Sequence, residues 1–289
     1  MNTLNYDKTF IIGGTIVVNR LGFDAMRITG KGIWGPPENK IEALKVLKLA
    51  VELGVNFIDT ADSYGPHVSE ELIAEALYPY PSDLLIATKG GILRQGPGHM
   101  TLDGSPEHLK NALEGSLKRL KLDAVDLYQL HRIDPNVPSE KSFAFLKQAQ
   151  EEGKIKHIGL SEVTVEEIKL AQEYFKVASV QNIYSVNNRK WEDVLEFCRE
   201  QHIAFIPWRP LNAGNVEETI IFRRISDHHK ASNHQIALSW LLHRSDNIVL
   251  IPGTSSVNHL KDNMKTASIR LTVEEMEELN MITGTKCSV

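Results

Sequence analysis

The stretch Leu84-Leu85-Ile86-Ala87-Thr88-Lys89-Gly90-Gly91 reads as a buried strand that ends on a lysine. Its apolar run is continuous, as in parallel strands covered on both faces. An ammonium at the end of such a strand is costly unless it is paired. The same pattern recurs outward in both directions, with strands expected over Arg20–Met26, Val55–Ala61, Val125–His131, Ile155–Ser161, Ala178–Ile183, Ile203–Trp208 and Asn247–Pro252. Helical patterns alternate with them near residues 40–53, 69–77, 106–120, 139–152, 164–175, 189–201, 232–244 and 256–266. Start signals support several of these. Ser105 precedes Pro106 and Glu107, and Ser139, Thr164 and Thr272 each precede an acidic first turn.

Strict strand–helix alternation predicts a parallel α/β fold, and strands apolar on both faces fit a closed (β/α)8 TIM barrel better than an open sheet. Reactive residues collect at the strands' C-terminal ends: Asp59, Lys89, His131, Ser161, Gln181-Asn182, Trp208-Arg209-Pro210 and Pro252-Gly253-Thr254-Ser255-Ser256. Barrel enzymes build their sites on that face. Upstream, Phe10–Ile12, Gly13-Gly14 and Thr15–Val18 read as a short N-terminal β-hairpin. With no low-complexity break, one barrel domain is expected over residues 1–289.

Composition narrows the function. The chain is 42% hydrophobic and 24% charged, an ordinary globular balance. A net charge of −5 without a basic run argues against nucleic acid or an anionic membrane as partner. Cys198 and Cys287 supply neither a disulfide framework nor metal-ligand spacing. Met1–Thr9 lacks the pattern of a secretory signal, and no apolar run is long enough to span a bilayer. A cytoplasmic protein without an obligate protein partner is expected.

Gly30-Lys31-Gly32-Ile33-Trp34-Gly35 matches a dinucleotide-binding glycine pattern. That fingerprint must open a helix directly, and Pro36-Pro37 block the entry. The segment reads instead as a flexible loop beside the site.

Asp59, ending its strand, is the expected partner of Lys89. Tyr64 follows five residues later, near enough for the chain to turn back over the barrel mouth. A close ammonium would lower the phenol's pKa and make it a usable proton donor. His131, as neutral imidazole, would orient a substrate carbonyl. Each has a plainer reading: a snorkelling lysine, a turn-capping aspartate, a packing tyrosine, a structural histidine. Their convergence on one face favours chemistry. His228, His229 and His234 fall in a helical stretch and read as surface residues, with no metal implied.

The runs Asn56-Phe-Ile-Asp-Thr-Ala-Asp-Ser-Tyr-Gly65, Ala87-Thr-Lys-Gly-Gly91, Asp126-Leu-Tyr-Gln-Leu-His131, His157-Ile-Gly-Leu-Ser161, Val180-Gln-Asn-Ile-Tyr184 and Ile251-Pro-Gly-Thr-Ser-Ser256 resemble the aldo-keto reductase family. The resemblance covers nearly the whole chain with the motifs in the family's order. It implies a barrel that binds NADPH, or alternatively NADH, without a Rossmann domain. It implies Tyr64 as proton donor, Lys89 as its activator, Asp59 as the ion-pair partner of Lys89 and His131 as the carbonyl-orienting group. For the cofactor it implies Ser161 and Gln181 at the carboxamide and Trp208 at the end of the seventh strand. It implies Pro210, Leu211, Gly214 and Asn215 over the pyrophosphate, Pro252, Gly253, Thr254 and Ser256 around the adenosine phosphate, His259 near the 2′-phosphate, and Asp262 and Asn263 near adenine.

Three positions depart from the family's pattern. Glu162 stands where asparagine is common, Asp24 replaces a usual glycine, and His259 replaces a usual arginine. Gly65-Pro66-His67-Val68, with Gly35-Pro36-Pro37 upstream, resembles the pyridoxal reductases of the family. That branch implies pyridoxal as substrate, and Trp34, Tyr64, His131 and Arg94 are the residues expected to line its pocket. An alternative is a cofactor-binding regulatory module resembling potassium-channel β-subunits.

Overall fold

The computed structural model describes residues 3–211 and 219–282. Among these, the hairpin strands β1 (Thr9–Ile12) and β2 (Ile16–Asn19) lead into β3 (Phe23–Asp24), α1 (Lys40–Glu52), β4 (Phe57–Asp59), α2 (Val68–Leu77) and β5 (Leu85–Gly90). A second hairpin, β6 (Ile92–Gly96) and β7 (His99–Leu102), is followed by α3 (Pro106–Leu120), β8 (Val125–Leu130), α4 (Ser139–Glu151), β9 (Ile155–Ser161), α5 (Val165–Gln172) and β10 (Val177–Gln181). The chain ends with α6 (Glu192–Glu200), β11 (Ala204–Phe205), α7 (Ile220–His229), α8 (Asn233–Arg244), α9 (Val257–Lys265) and α10 (Val273–Asn280).

β11-β10-β9-β8-β5-β4-β3 form one parallel sheet in that order. The segment after α8 joins its two edges. Phe205 N donates to Asn247 O at 2.9 Å and Val249 N to Phe205 O at 2.9 Å on one side. On the other, Leu250 N donates to Arg20 O at 2.8 Å and Gly22 N to Leu250 O at 2.7 Å. The ring therefore closes as an α/β barrel, as the strand–helix alternation predicts. The eighth strand takes part through isolated bridges, Leu21↔Leu250 and Phe205↔Ile248. β3 and β11 are also shorter than their apolar runs, although isolated bonds extend the pairing beyond β11, with Ile206 N donating to Val180 O at 2.8 Å and Trp208 N to Asn182 O at 3.1 Å.

Side-chain alternation then decides what faces the barrel interior. Phe57, Leu85, Ala87 and Leu127 point inward and pack with Ala178, Ala204, Ile206, Val249 and Ile251. Ile12 and Val18 of the first hairpin join this cluster. Asp59, Lys89, Gln129 and His131 share the inward parity one or two steps further along. Ile58 and Ile86 face α1 and α2, while Tyr128, Ile158 and Leu160 lie in the outer cluster with α3 to α6 and α8. The inner face is thus apolar at one end and reactive at the other.

Ser105, Thr164 and Thr272 cap their helices, the last two with complete capping boxes. Ser139 does not: it is the first residue of α4 behind Pro138, with no side-chain cap. β6–β7 is an element the sequence did not signal, since Gly96-Pro97-Gly98 punctuates the run as a loop would. Residues 30–35 open no helix, but they are stitched rather than loose. Gly30 N donates to Gly35 O at 2.9 Å, and Trp34 bridges Gly65. No helix among the described residues is long and apolar enough to cross a membrane.

Candidate active site

Asp59 and Lys89 are fully buried and form an ion pair. Lys89 Nζ also donates to Thr60 O at 3.0 Å and to the Tyr64 hydroxyl at 3.2 Å. The second carboxylate oxygen of Asp59 accepts from Gln129 Nε2 at 2.8 Å and Gln181 Nε2 at 3.1 Å. Every lone charge is therefore compensated, which is what keeps an ion pair tolerable at zero exposure. Residues 60–63 carry Tyr64 back over the pair, and its ring meets that of His131 edge-on at 6.0 Å between centroids.

Burial pushes the Tyr64 phenol up, with Asp24 and Asp59 adding to it against Arg132 and Arg94. This reverses the expected lowering by Lys89. The ammonium is already neutralised at contact by Asp59, so desolvation decides the sign. Tyr64 is a neutral phenol that releases its proton only to a stronger base. His131 is pushed well down, first by burial and then by Lys89, Arg132 and Arg94, so its imidazole is neutral. Its Nδ1 is buried without a partner.

Beside His131, Arg132 was missed by sequence reasoning. Its Nη1 donates to His131 O at 2.6 Å and to Ser161 Oγ at 2.7 Å, and its guanidinium lies 5.6 Å from the Trp208 ring. Ser161 donates onward to Gln181 O at 2.8 Å. Glu162 accepts from Ile183 N at 2.6 Å and from Trp208 Nε1 at 2.5 Å. Gln129 was also missed, although its inward parity two residues before His131 was readable.

A cavity of about 610 Å³ opens beside this cluster. Of the residues expected at the cofactor, Trp208, Pro210, Leu211, Pro252, Gly253, Thr254, His259, Asp262 and Asn263 line it. Ser256 caps α9 at its edge, its Oγ accepting from His259 N at 3.5 Å. Ser161 and Gln181 lie deeper, bonded into the Asp59–Arg132 network. Gly214, Asn215 and Cys287 lie outside the described residues. The wall also contains Arg27, Arg209 and His234. His234 is thus a lining residue, contrary to its reading as surface, because α8 begins at the cavity. His228 and His229 instead bond the buried Glu275, at 2.7 and 2.9 Å, and tie α7 to α10.

Asp24, the departure from glycine, lies in register with Asp59 and lines the same cavity. Burial first and then Asp59 push it up to about 7, opposed by Lys89. Gly253 leaves room beside it, since a Cβ there would meet Asp24 O at 2.6 Å.

A buried lysine–aspartate pair under a tyrosine, beside a neutral histidine and a cavity bearing arginines and histidines at the C-terminal mouth of a barrel, defines an oxidoreductase of nicotinamide type. The profile of the aldo/keto reductase family matches residues 20–283, and the chain belongs to that family. It is 50% identical over 268 residues to an uncharacterized oxidoreductase of Schizosaccharomyces pombe, covering 92% of this chain and 87% of the relative. It is 39% identical over 281 residues to pyridoxine 4-dehydrogenase of Escherichia coli, covering 95% and 98%. An aldo-keto reductase from Klebsiella pneumoniae, solved with NADPH, superposes with a TM-score of 0.80 at 22% identity, covering 98% and 97%.

Proposed function

We propose that the chain reduces an aldehyde to its alcohol with NADPH, that Tyr64 donates the proton, and that pyridoxal is its substrate. The observation that carries this reading is the 3.2 Å contact between Lys89 and the Tyr64 hydroxyl, beside neutral His131. The family supports carbonyl reduction, and the E. coli relative, a pyridoxine 4-dehydrogenase, supports the substrate.

The lining residues fit a dinucleotide phosphate. Arg27, Arg209, His234 and His259 bring basic groups, and α9 presents its N-terminus at Ser256 to an anion. Arg27, a permanent cation, offsets the loss of arginine at position 259 and favours NADPH over NADH. Trp208, Ser161 and Gln181 would hold the nicotinamide end, and Pro252 to Ser256 with His259 the phosphate end. Bound there, the cofactor supplies the hydride. Around it, His131 donates a hydrogen bond that fixes the carbonyl oxygen. Tyr64 then gives its proton to the alkoxide, a stronger base than any phenol here, and Lys89 stabilises the phenolate left behind. Asp59 fixes Lys89 through the ion pair.

The test is NADPH, then NADH, oxidation by the purified protein with pyridoxal and a panel of small aldehydes. The variant Tyr64→Phe is expected to lose at least about 100-fold in kcat while still binding cofactor. Oxidation that survives Tyr64→Phe, or none with any carbonyl, would refute the assignment.

A further inference from the structure

Resting on the reductase reading, we propose that Arg94 selects carbonyl substrates carrying an anionic oxygen group and is a specificity-determining residue of this site.

The placement follows from the second hairpin. β5 ends one residue past Lys89, and Gly91, at φ 109°, turns the chain at once into β6. Arg94 stands on β6 opposite Met100. The hairpin tip is fastened across the mouth, with Gly98 N donating to Gly32 O at 3.2 Å. The loop holding Gly32 is fastened in turn beside Tyr64, where Gly35 N donates to Gly65 O at 2.5 Å. Arg94 is therefore carried on a braced arm, not on a free surface loop.

Its chemistry there is incomplete. Arg94 is half-buried, its Nε is buried without a hydrogen-bond partner, and among the described residues it has no ion pair. The guanidinium is felt by both Tyr64 and His131, the two groups that would hold the substrate carbonyl. Neighbouring charges are already committed. Arg132 spends Nη1 on His131 O and Ser161 Oγ. Asp59 is paired with Lys89, and Glu162 with Trp208 and Ile183. These neighbouring groups are thus bonded within the protein, while Arg94 Nε is left open among the described residues. A partly desolvated guanidinium with open donors is completed by a carboxylate, phosphate or phenolate, which its planar fork matches. Its separation from the cofactor cavity, whose wall holds Arg27 and Arg209 instead, leaves the substrate as its partner.

The test compares 4-formylbenzoate with its neutral methyl ester, and pyridoxal with its 3-O-methyl ether, using NADPH. The wild type is expected to prefer the anionic member of at least one pair about tenfold in kcat/KM, the scale of one charge-assisted hydrogen bond. Arg94→Gln should collapse that preference toward unity, Arg94→Lys should keep part of it, and added salt should erode it. A preference confined to one pair identifies the anion as carboxylate or phenolate. Reduction of the neutral probes with no preference for the anions, or a preference intact in Arg94→Gln, overturns this inference alone. No NADPH oxidation with any probe overturns the reductase reading and this inference with it.

Discussion

Lys89 donates to Tyr64 across 3.2 Å while ion-paired to Asp59, so one ammonium joins a strand-end carboxylate to a phenol on the following loop. The pair neutralises the ammonium enough that burial still raises the phenol. In the proposed reduction the lysine would thus act on the phenolate formed after proton transfer, not on the resting tyrosine.

Removing one half of that pair is expected to be worse than removing both. Asp59→Asn leaves a buried ammonium uncompensated and should destabilise the fold by about 3–5 kcal/mol. Adding Lys89→Met should recover most of that stability while leaving the protein inactive. Urea denaturation and NADPH oxidation measured on the same samples separate the two effects. A double variant no more stable than Asp59→Asn would show that charge burial is not the cause.

Asp62 gives the fold a pH dependence of its own. It is buried with Oδ1 unpartnered, and burial first, then Glu70, push it up to about 8 against Arg119. An unfolded aspartate titrates near ~3.9. Its folded pKa is the higher one, so unfolding releases a proton throughout the window between. Its contribution is complete below about pH 4 and lost as pH rises to about 8, with a slope on the order of 1 kcal/mol per pH unit. Asp62→Asn removes that slope, so its stability advantage over wild type should grow from pH 5 to pH 8. A pH-independent difference would mean that Asp62 is ionised in the native state.

Asp24 should tie cofactor affinity to pH. It lines the cavity and is held near 7, so above neutrality it would become anionic against a dinucleotide bound there as proposed. The KM for NADPH is expected to rise about fivefold between pH 6 and 8.5, on the order of 1 kcal/mol of repulsion. Asp24→Asn should flatten the profile. A profile unchanged by this substitution would assign the titration elsewhere.

Much of this site was legible because barrel strands impose a parity of two. Asp59, Lys89 and His131 follow inward-facing apolar residues, so the sequence shows them on one face before any contact is known. What was not legible came from elements meeting across the barrel. Arg132 follows His131 directly and has no pattern of its own. Its bond to Ser161 depends on the spacing of β8 and β9. His234 looked like surface because helix periodicity says nothing about where a helix begins relative to a cavity. The sign of the Tyr64 shift was misread for a related reason: expecting an ammonium close to the phenol reveals neither the burial nor the Asp24 carboxyl on the strand beside Asp59.

Glu162 illustrates how a departure from a family pattern can carry a different task. Read from sequence, it weakens a carboxamide contact. In the structure it sits at φ 55° and anchors Trp208 through Oε1 at 2.5 Å, with the same atom accepting from Ile183 N at 2.6 Å. The guanidinium groups of Arg132 and Arg209 lie 5.6 and 5.1 Å from the centre of the indole ring, which forms part of the cavity wall. Glu162→Ala removes the acceptor for both part-buried donors, at a cost of about 1 kcal/mol, the scale of a lost hydrogen bond. It frees Trp208, and the KM for NADPH should rise about tenfold with a smaller change in kcat. Quenching of tryptophan fluorescence by added cofactor should weaken in parallel. Glu162→Gln keeps an acceptor oxygen while removing the charge, and should stay close to wild type. If Gln and Ala behave alike, Glu162 acts through its charge on Arg132 and not by holding the indole.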